Sequence, residues 1–245
     1  MTAAGYRPMS ADVRVNAAGS NRVLDLIVRM QIKVLRLFEC DAPLFVAMQQ
    51  EAMAFVDQHP GQLVVGDHPT AAYVQASDPD WTLKPGTIRQ YSLYNSKDDE
   101  LFNDEDHHWK GVTRQFNSKL PALREFAGRY FGGSVLQNFR MQSIRGGSDL
   151  GRHRERIVGI PGREPQYKLR FHLPIVTNPG VAFWMDGESF TMKAGSVYLF
   201  NQGCMHGVAN AGTELRVHYI FDCYLDDDIA SGMIAPAWDR EQLQG

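Results

Sequence analysis

A chain of 245 residues with 44% apolar and 22% charged side chains has ordinary globular composition and enough length for one sizeable core. A formal net charge of −3 leaves no basic surplus for a general nucleic-acid surface, and no run approaches the roughly 20 apolar residues of a membrane helix. Cys40, Cys204 and Cys223 lack CxxC spacing and residues 1–20 lack an apolar signal core, so reduced thiols in a cytoplasmic protein are the expectation.

Residues 1–20 are small and polar and read as a frayed terminus. The next stretch is ambiguous: Leu24, Ile27, Val28, Ile32 and Leu35 suit a helix, while the alternation over 31–38 suits a strand. A strand is favoured there, because Asp41-Ala42-Pro43 looks like a helix start. The helix over 43–59 carries Leu44, Phe45, Met48, Ala52 and Phe55 on one stripe. Residues 67–86 are loop-like, 87–95 form a strand, and 96–106 form a solvated acidic loop. A short amphipathic helix over 121–131 begins with Pro121 and ends before Gly132-Gly133. From Ser134 onward the texture becomes short strands with Gly turns: 135–144, 167–175, 181–185, 189–192, 196–200, 206–209 and 214–224. Such a series predicts an antiparallel barrel or sandwich. One domain is expected, with a helical cover and lid region over 1–133, a β-core over 134–225 and a tail over 226–245.

The chemistry sits within 151–222. His153-Arg154-Glu155 places an imidazole and a carboxylate two residues apart, on one face of an extended segment. With the distant His206 they form the two-histidine, one-carboxylate set that holds one face of a non-haem Fe(II) and leaves positions open. Asn210-Ala211-Gly212 reads as a turn between short runs, hence a β-hairpin centred near Ala211. In that hairpin His206 and Arg216 would lie directly opposite, with Cβ atoms roughly 5 Å apart. The Arg216 guanidinium could then grip the far carboxylate of a metal-bound oxo acid.

Lys168, Arg170 and His172 share one strand face, and Leu169, Phe171 and Leu173 the other, as expected for a pocket above a packed core. Lys168 reads equally well as a snorkelling rim residue. Asn138, Arg140 and Gln142 make a second polar face, and His218 shares the face of Arg216 as a pocket or core histidine. Asp104-Glu105-Asp106-His107-His108 lacks ligand spacing and reads as a solvated loop. Arg145, Arg152, Arg154, Arg156 and Arg163 read as a solvated rim with some capacity to steer anions.

These pieces in this order resemble the aspartyl/asparaginyl β-hydroxylase family of Fe(II)/2-oxoglutarate dioxygenases, which includes small bacterial amino-acid hydroxylases. The resemblance runs from Leu136 to Leu225 through His153-Arg154-Glu155, Leu169-Arg170-Phe171-His172-Leu173, the segment His206 to Arg216, and Tyr219-Ile220-Phe221-Asp222. It implies a mainly β fold with N-terminal helices, a double-stranded β-helix (cupin-like jelly roll). It implies iron held by His153, Glu155 and His206, with Glu155 in place of the commoner Asp. It further implies 2-oxoglutarate held by Arg216 with His172 and Gln142, and substrate faced by Arg170 and Lys168. The implied activity is hydroxylation, with O2 consumed, ascorbate as a stimulant, and a small carboxylate-bearing substrate such as an amino acid. Desaturation or epoxidation at the same site, and a non-catalytic cupin-like binder of metal and a small acid, are the alternatives.

Overall fold

Period-two alternation governs the long strands, each sending one row of side chains to a helical layer and the other row inward. The computed structural model describes residues 32–59, 62–63, 74–82, 87–94, 119–132, 134, 136–155, 168–224 and 230–242. The expectations for 1–20 and for the acidic loop with Asp104 to His108 lie outside the described residues. In chain order come β1 (Val34–Glu39), α1 (Ala42–Gln58), β2 (Gln62–Leu63), β3 (Ile88–Tyr94), α2 (Pro121–Phe131), β4 (Leu136–Ile144) and β5 (Ser148–His153). Then follow β6 (Lys168–Val176), β7 (Val181–Met185), β8 (Glu188–Phe190), β9 (Ser196–Phe200), β10 (His206–Asn210), β11 (Arg216–Tyr224), a π-turn (Ala230–Ile234) and α3 (Ala235–Gln242).

Two antiparallel sheets face each other. The larger has the order β1-β9-β6-β11-β4-β3-β2 and the smaller β5-β10-β7-β8. From β4 onward the chain alternates between the sheets, with only the β7–β8 pair staying in one, which is the jelly-roll arrangement expected from the strand series. The outer face of the larger sheet is the main core. Phe221 lies at its centre, stacked on Phe139 (centroids 4.6 Å) and Phe171 (5.4 Å) and met edge-on by Phe131 and Phe126 of α2. Leu44, Met48, Ala52 and Phe55 of α1 are buried there, while Phe45 is only partly so.

Local signals start the helices. The Asp41 side chain accepts from Leu44 N at 3.2 Å and so caps α1. Leu120 offers no such cap for α2, and Glu51 of α1 supplies it instead, accepting from Ala122 N (2.7 Å) and Leu123 N (3.2 Å). A carboxylate at a helix N-terminus also complements the dipole. The tail expected over 226–245 contains α3, whose Arg240 donates to Leu37 O at 2.6 Å on the edge strand β1.

One expectation fails. The hairpin centred at Ala211 does not form, because β10 is already paired on both edges, with β5 and with β7. β11 instead joins β4 and β6 in the other sheet. Residues 211–215 arch from sheet to sheet, held by Asn210, whose Nδ2 donates to Ile144 O (3.0 Å) and Glu214 O (2.8 Å). Its Oδ1 accepts from Gly212 N at 3.2 Å. Arg216 therefore lies opposite Ile144, and His206 opposite His153. A strand, a turn that opens with Asn210 and a second strand read alike for a hairpin and for an arch. The strand β5 was also not anticipated.

Phe126 is fully buried between α2 and the aromatic core and touches none of the site described below. Phe126→Ala should cost about 3–5 kcal/mol of unfolding free energy. A denaturant titration showing a loss below about 1 kcal/mol would contradict this packing.

Candidate active site

Antiparallel pairing brings the two histidines together. His153 ends β5 and His206 begins β10, and the two are register partners with ring centroids 4.3 Å apart. Close backbone approach at this point needs glycine. A Cβ on Gly151 would meet Trp81 at 2.5 Å, and one on Gly207 would meet Leu150 O at 3.1 Å. Each ring is oriented by the carbonyl two residues before it: His153 Nδ1 lies 3.0 Å from Gly151 O, and His206 Nδ1 lies 2.9 Å from Cys204 O. A carbonyl only accepts, so in the neutral ring Nδ1 carries the hydrogen and Nε2 keeps its lone pair. Burial, and then His153, bring the His206 pKa down to about 3, so that ring is neutral at physiological pH.

Glu155 follows the end of β5, with its backbone N–H on Gln202 O at 2.9 Å. Its Oε1 lies 3.8 Å from His153 Nε2. One ligand atom from each of His153, Glu155 and His206 falls within 4.8 Å of the others. Burial alone would raise the Glu155 carboxyl, and the Arg170 guanidinium overrides this and holds it well below the usual carboxylate range. The donor set fits a divalent metal: two imidazoles oriented through Nδ1 and one ionised carboxylate.

Arg170 reaches further than the sequence indicates. Its Nη1 donates to Glu155 Oε1, its Nε to Asp222 Oδ1 at 2.9 Å, and its Nη2 to Asp222 Oδ2 at 3.3 Å. Asp222, fully buried, also accepts from Asn138 Nδ2 at 2.9 Å. Asn138 sits at φ 47°, where β4 carries one extra residue relative to β11. The guanidinium expected to face a substrate is thus committed to two carboxylates.

Arg216 is the opposite case. It is 0% exposed, and of its guanidinium only Nη1 is paired, donating to Gln142 Oε1 at 2.9 Å. Nε and Nη2 have no partner among the described residues. Burial, and then Arg140, lower its pKa to about 9. Its guanidinium carbon lies 5.4 Å from the Phe183 ring centre, Phe183 packs against Phe200, and Phe200 meets His206 edge-on at 4.9 Å. Among the described residues His172, which packs against Phe200, has no partner for Nδ1, and both buried ring nitrogens of His218 have none. Burial, followed by Arg216, keeps both of these histidines far below the usual histidine range, hence neutral.

Of the residues expected at the site, His153, Glu155 and His206 come together, and Gln142 meets Arg216. Lys168 begins β6, and its side chain lies outside the described residues. Asp222 and Arg140 were not expected as site residues, although the alternation along β11 puts Asp222 on the face of Arg216 and His218. Among the described residues no helix is long and apolar enough to cross a membrane.

Comparison with known proteins agrees with this arrangement. A prolyl hydroxylase from Trichoplax adhaerens, solved with a hypoxia-inducible-factor peptide, shares the fold at 10% identity, covering 86% of this chain and 91% of its own with a TM-score of 0.50. A prolyl-4-hydroxylase from Pseudomonas putida matches at 16% identity over 82% of this chain and 95% of its own, with a TM-score of 0.41. No curated protein matches the sequence. The family model described as aspartyl/asparaginyl beta-hydroxylase matches residues 89–225, more than half of the sequence. The chain belongs to the aspartyl/asparaginyl β-hydroxylase family and is a 2-oxoglutarate-dependent oxygenase.

Proposed function

We propose that this enzyme hydroxylates a small carboxylate-bearing molecule, an amino acid or a derivative of one, with Fe(II) held by His153, Glu155 and His206. The observation that carries this reading is the enclosed, half-paired guanidinium of Arg216 on the wall that faces His153, Glu155 and His206. An uncompensated buried charge is strongly unfavourable, and the far carboxylate of 2-oxoglutarate supplies the missing partner for Nε and Nη2. Gln142 fixes the guanidinium from its other side. Iron with 2-oxoglutarate and O2 supplies the oxidising chemistry, and the protein supplies placement and a water-poor site. His218 and His172, both neutral, line the same wall beside Arg216 and add hydrogen-bonding capacity without further charge.

The substrate class rests on a charge balance. Arg140, Arg170 and Arg216 sit on β4, β6 and β11, against the carboxylates of Asp222 and Glu155. Arg170 is used by those two carboxylates and Arg216 is assigned to the cosubstrate. Among the described residues Arg140 donates Nη1 to Asn138 O at 3.3 Å, and burial followed by the repulsion of Arg170 lowers its pKa to about 10. A substrate carboxylate relieves that repulsion, so Arg140 replaces Arg170 as the residue that receives it.

Incubation with Fe(II), ascorbate, 2-oxoglutarate and a library of free amino acids and other small carboxylic acids should yield succinate and a product heavier by one oxygen in mass spectrometry. His153→Ala and His206→Ala should each abolish both signals; full turnover in either variant would remove the assigned metal centre. A product lighter by two hydrogens would replace hydroxylation with desaturation.

Arg216→Ala removes two charge-assisted hydrogen bonds of about 1.5–3 kcal/mol each, so the 2-oxoglutarate requirement should rise by an order of magnitude or more. The same change deletes a poorly compensated buried charge, so the ligand-free protein should melt no lower than the parent. Unchanged 2-oxoglutarate affinity would show that the cosubstrate carboxylate lies elsewhere.

A further inference from the structure

Glu155 is awkwardly placed for a ligand. β5 ends at His153, so residue 155 lies beyond its ladder, and among the described residues the contact of its N–H with Gln202 O holds its backbone. Its side chain is one methylene longer than aspartate, with one more torsion to immobilise. Some other group must therefore aim the carboxylate at the two imidazoles.

The structure supplies that group from the opposite sheet. Arg170 presents Nη1 to Glu155, and its remaining edge is occupied by Asp222 through Nε at 2.9 Å and Nη2 at 3.3 Å. Asp222 is held in turn by Asn138 Nδ2 at 2.9 Å, from the backbone bulge at φ 47°. We infer that Asp222 and Arg170 form a relay that sets the Glu155 carboxylate in place and leaves its charge available to the metal. The inference rests on reading Glu155 as a metal ligand.

Two physical demands require both members. Only a planar guanidinium can span two carboxylates with fixed geometry; a lysine ammonium is a single point on a flexible stem. An Arg170 without Asp222 would still bind Glu155, but its full positive charge would compete with the metal for that carboxylate and repel the dication beside it. Asp222 neutralises Arg170 and holds it on two atoms, so that only one N–H reaches Glu155. The carboxylate has about four lone-pair positions, and one such contact leaves the others for a cation. Arg170 and Asp222 are positioning residues here, acting on the metal through Glu155.

The test uses Co(II), a visible stand-in for Fe(II), titrated into the full chain and followed by its ligand-field absorption and by calorimetry. Metal-free samples are melted in parallel to verify folding. Glu155→Ala, Asp222→Asn and the double variant close a cycle. Outer-shell changes at metal sites weaken binding roughly 10- to 100-fold, and Asp222→Asn should fall in that range with altered absorption bands. Adding Asp222→Asn to Glu155→Ala should cause little further loss, because the relay has no carboxylate left to place. If Asp222→Asn does not fold, Arg170→Lys takes its place in the same cycle with the same expected losses. Unchanged Co(II) affinity and absorption in the relay variant, with a weakened Glu155→Ala, would overturn the relay and leave Glu155 as a ligand. An equal loss from the relay variant with or without Glu155 would also overturn it, marking a general structural effect. Undiminished affinity in Glu155→Ala would remove Glu155 from the metal set, and the relay with it.

Discussion

A sheet can bury a charged face only if opposite charges lie within that same face or arrive with a ligand. This constraint shapes the central strands β6 and β11. Their outward rows, Leu169, Phe171 and Leu173 with Val217, Tyr219, Phe221 and Cys223, pack against the helical cover. Their inward rows carry Arg170, His172, Arg216, His218 and Asp222, all buried. The helices keep the sheet folded whether or not the inner wall is satisfied, which frees that wall to hold groups whose partners come from outside. Asp222 answers Arg170 within the protein, while nothing among the described residues fully answers Arg216.

Placing these groups depends on departures from regular strand geometry. The extra residue at Asn138 turns its amide onto Asp222. Glycines at 151 and 207 admit the close contact behind the two histidines. Asn210 ties the end of β10 to Ile144 O and Glu214 O, so the chain crosses from the histidine-bearing sheet to the arginine-bearing one. A hairpin would have kept His206 and Arg216 in one sheet as cross-strand neighbours. The arch puts them on facing walls, with Phe183 and Phe200 between.

The alternation of β6, the stripe of α1 and the strand series after residue 134 were legible because each obeys a local period. So was the ligand triad, since His153 and Glu155 are near in sequence and His206 fits a known ordering. Sequence could not show that Arg170 belongs to Glu155 and Asp222, residues 15 and 52 positions away. That pairing follows from strand order, where β11 lies beside β6, and from a jelly-roll crossing that sets β5 against them. The same long-range information decided hairpin against arch. The role proposed for Arg140 was hidden for a related reason: its charge is informative only once the partners of its neighbours are known.

Three inward guanidiniums of identical chemistry thus acquire different tasks from the number of their anionic partners. Arg170, with two carboxylates, has its charge met within the protein. Arg216, with one amide oxygen and two unpaired donors, is poised for a carboxylate that carries both its own charge and bidentate geometry. Arg140 donates to a backbone carbonyl and feels the Asp222 and Glu155 carboxylates as well as the Arg170 cation. Each arginine also lowers the tolerance of the others for remaining unpaired, as the depressed basicity of Arg140 and Arg216 reflects after burial itself. Binding of one anion to Arg216 therefore reduces the repulsion felt at Arg140, while the pairing of Arg170 with Asp222 keeps that cation from drawing either ligand away.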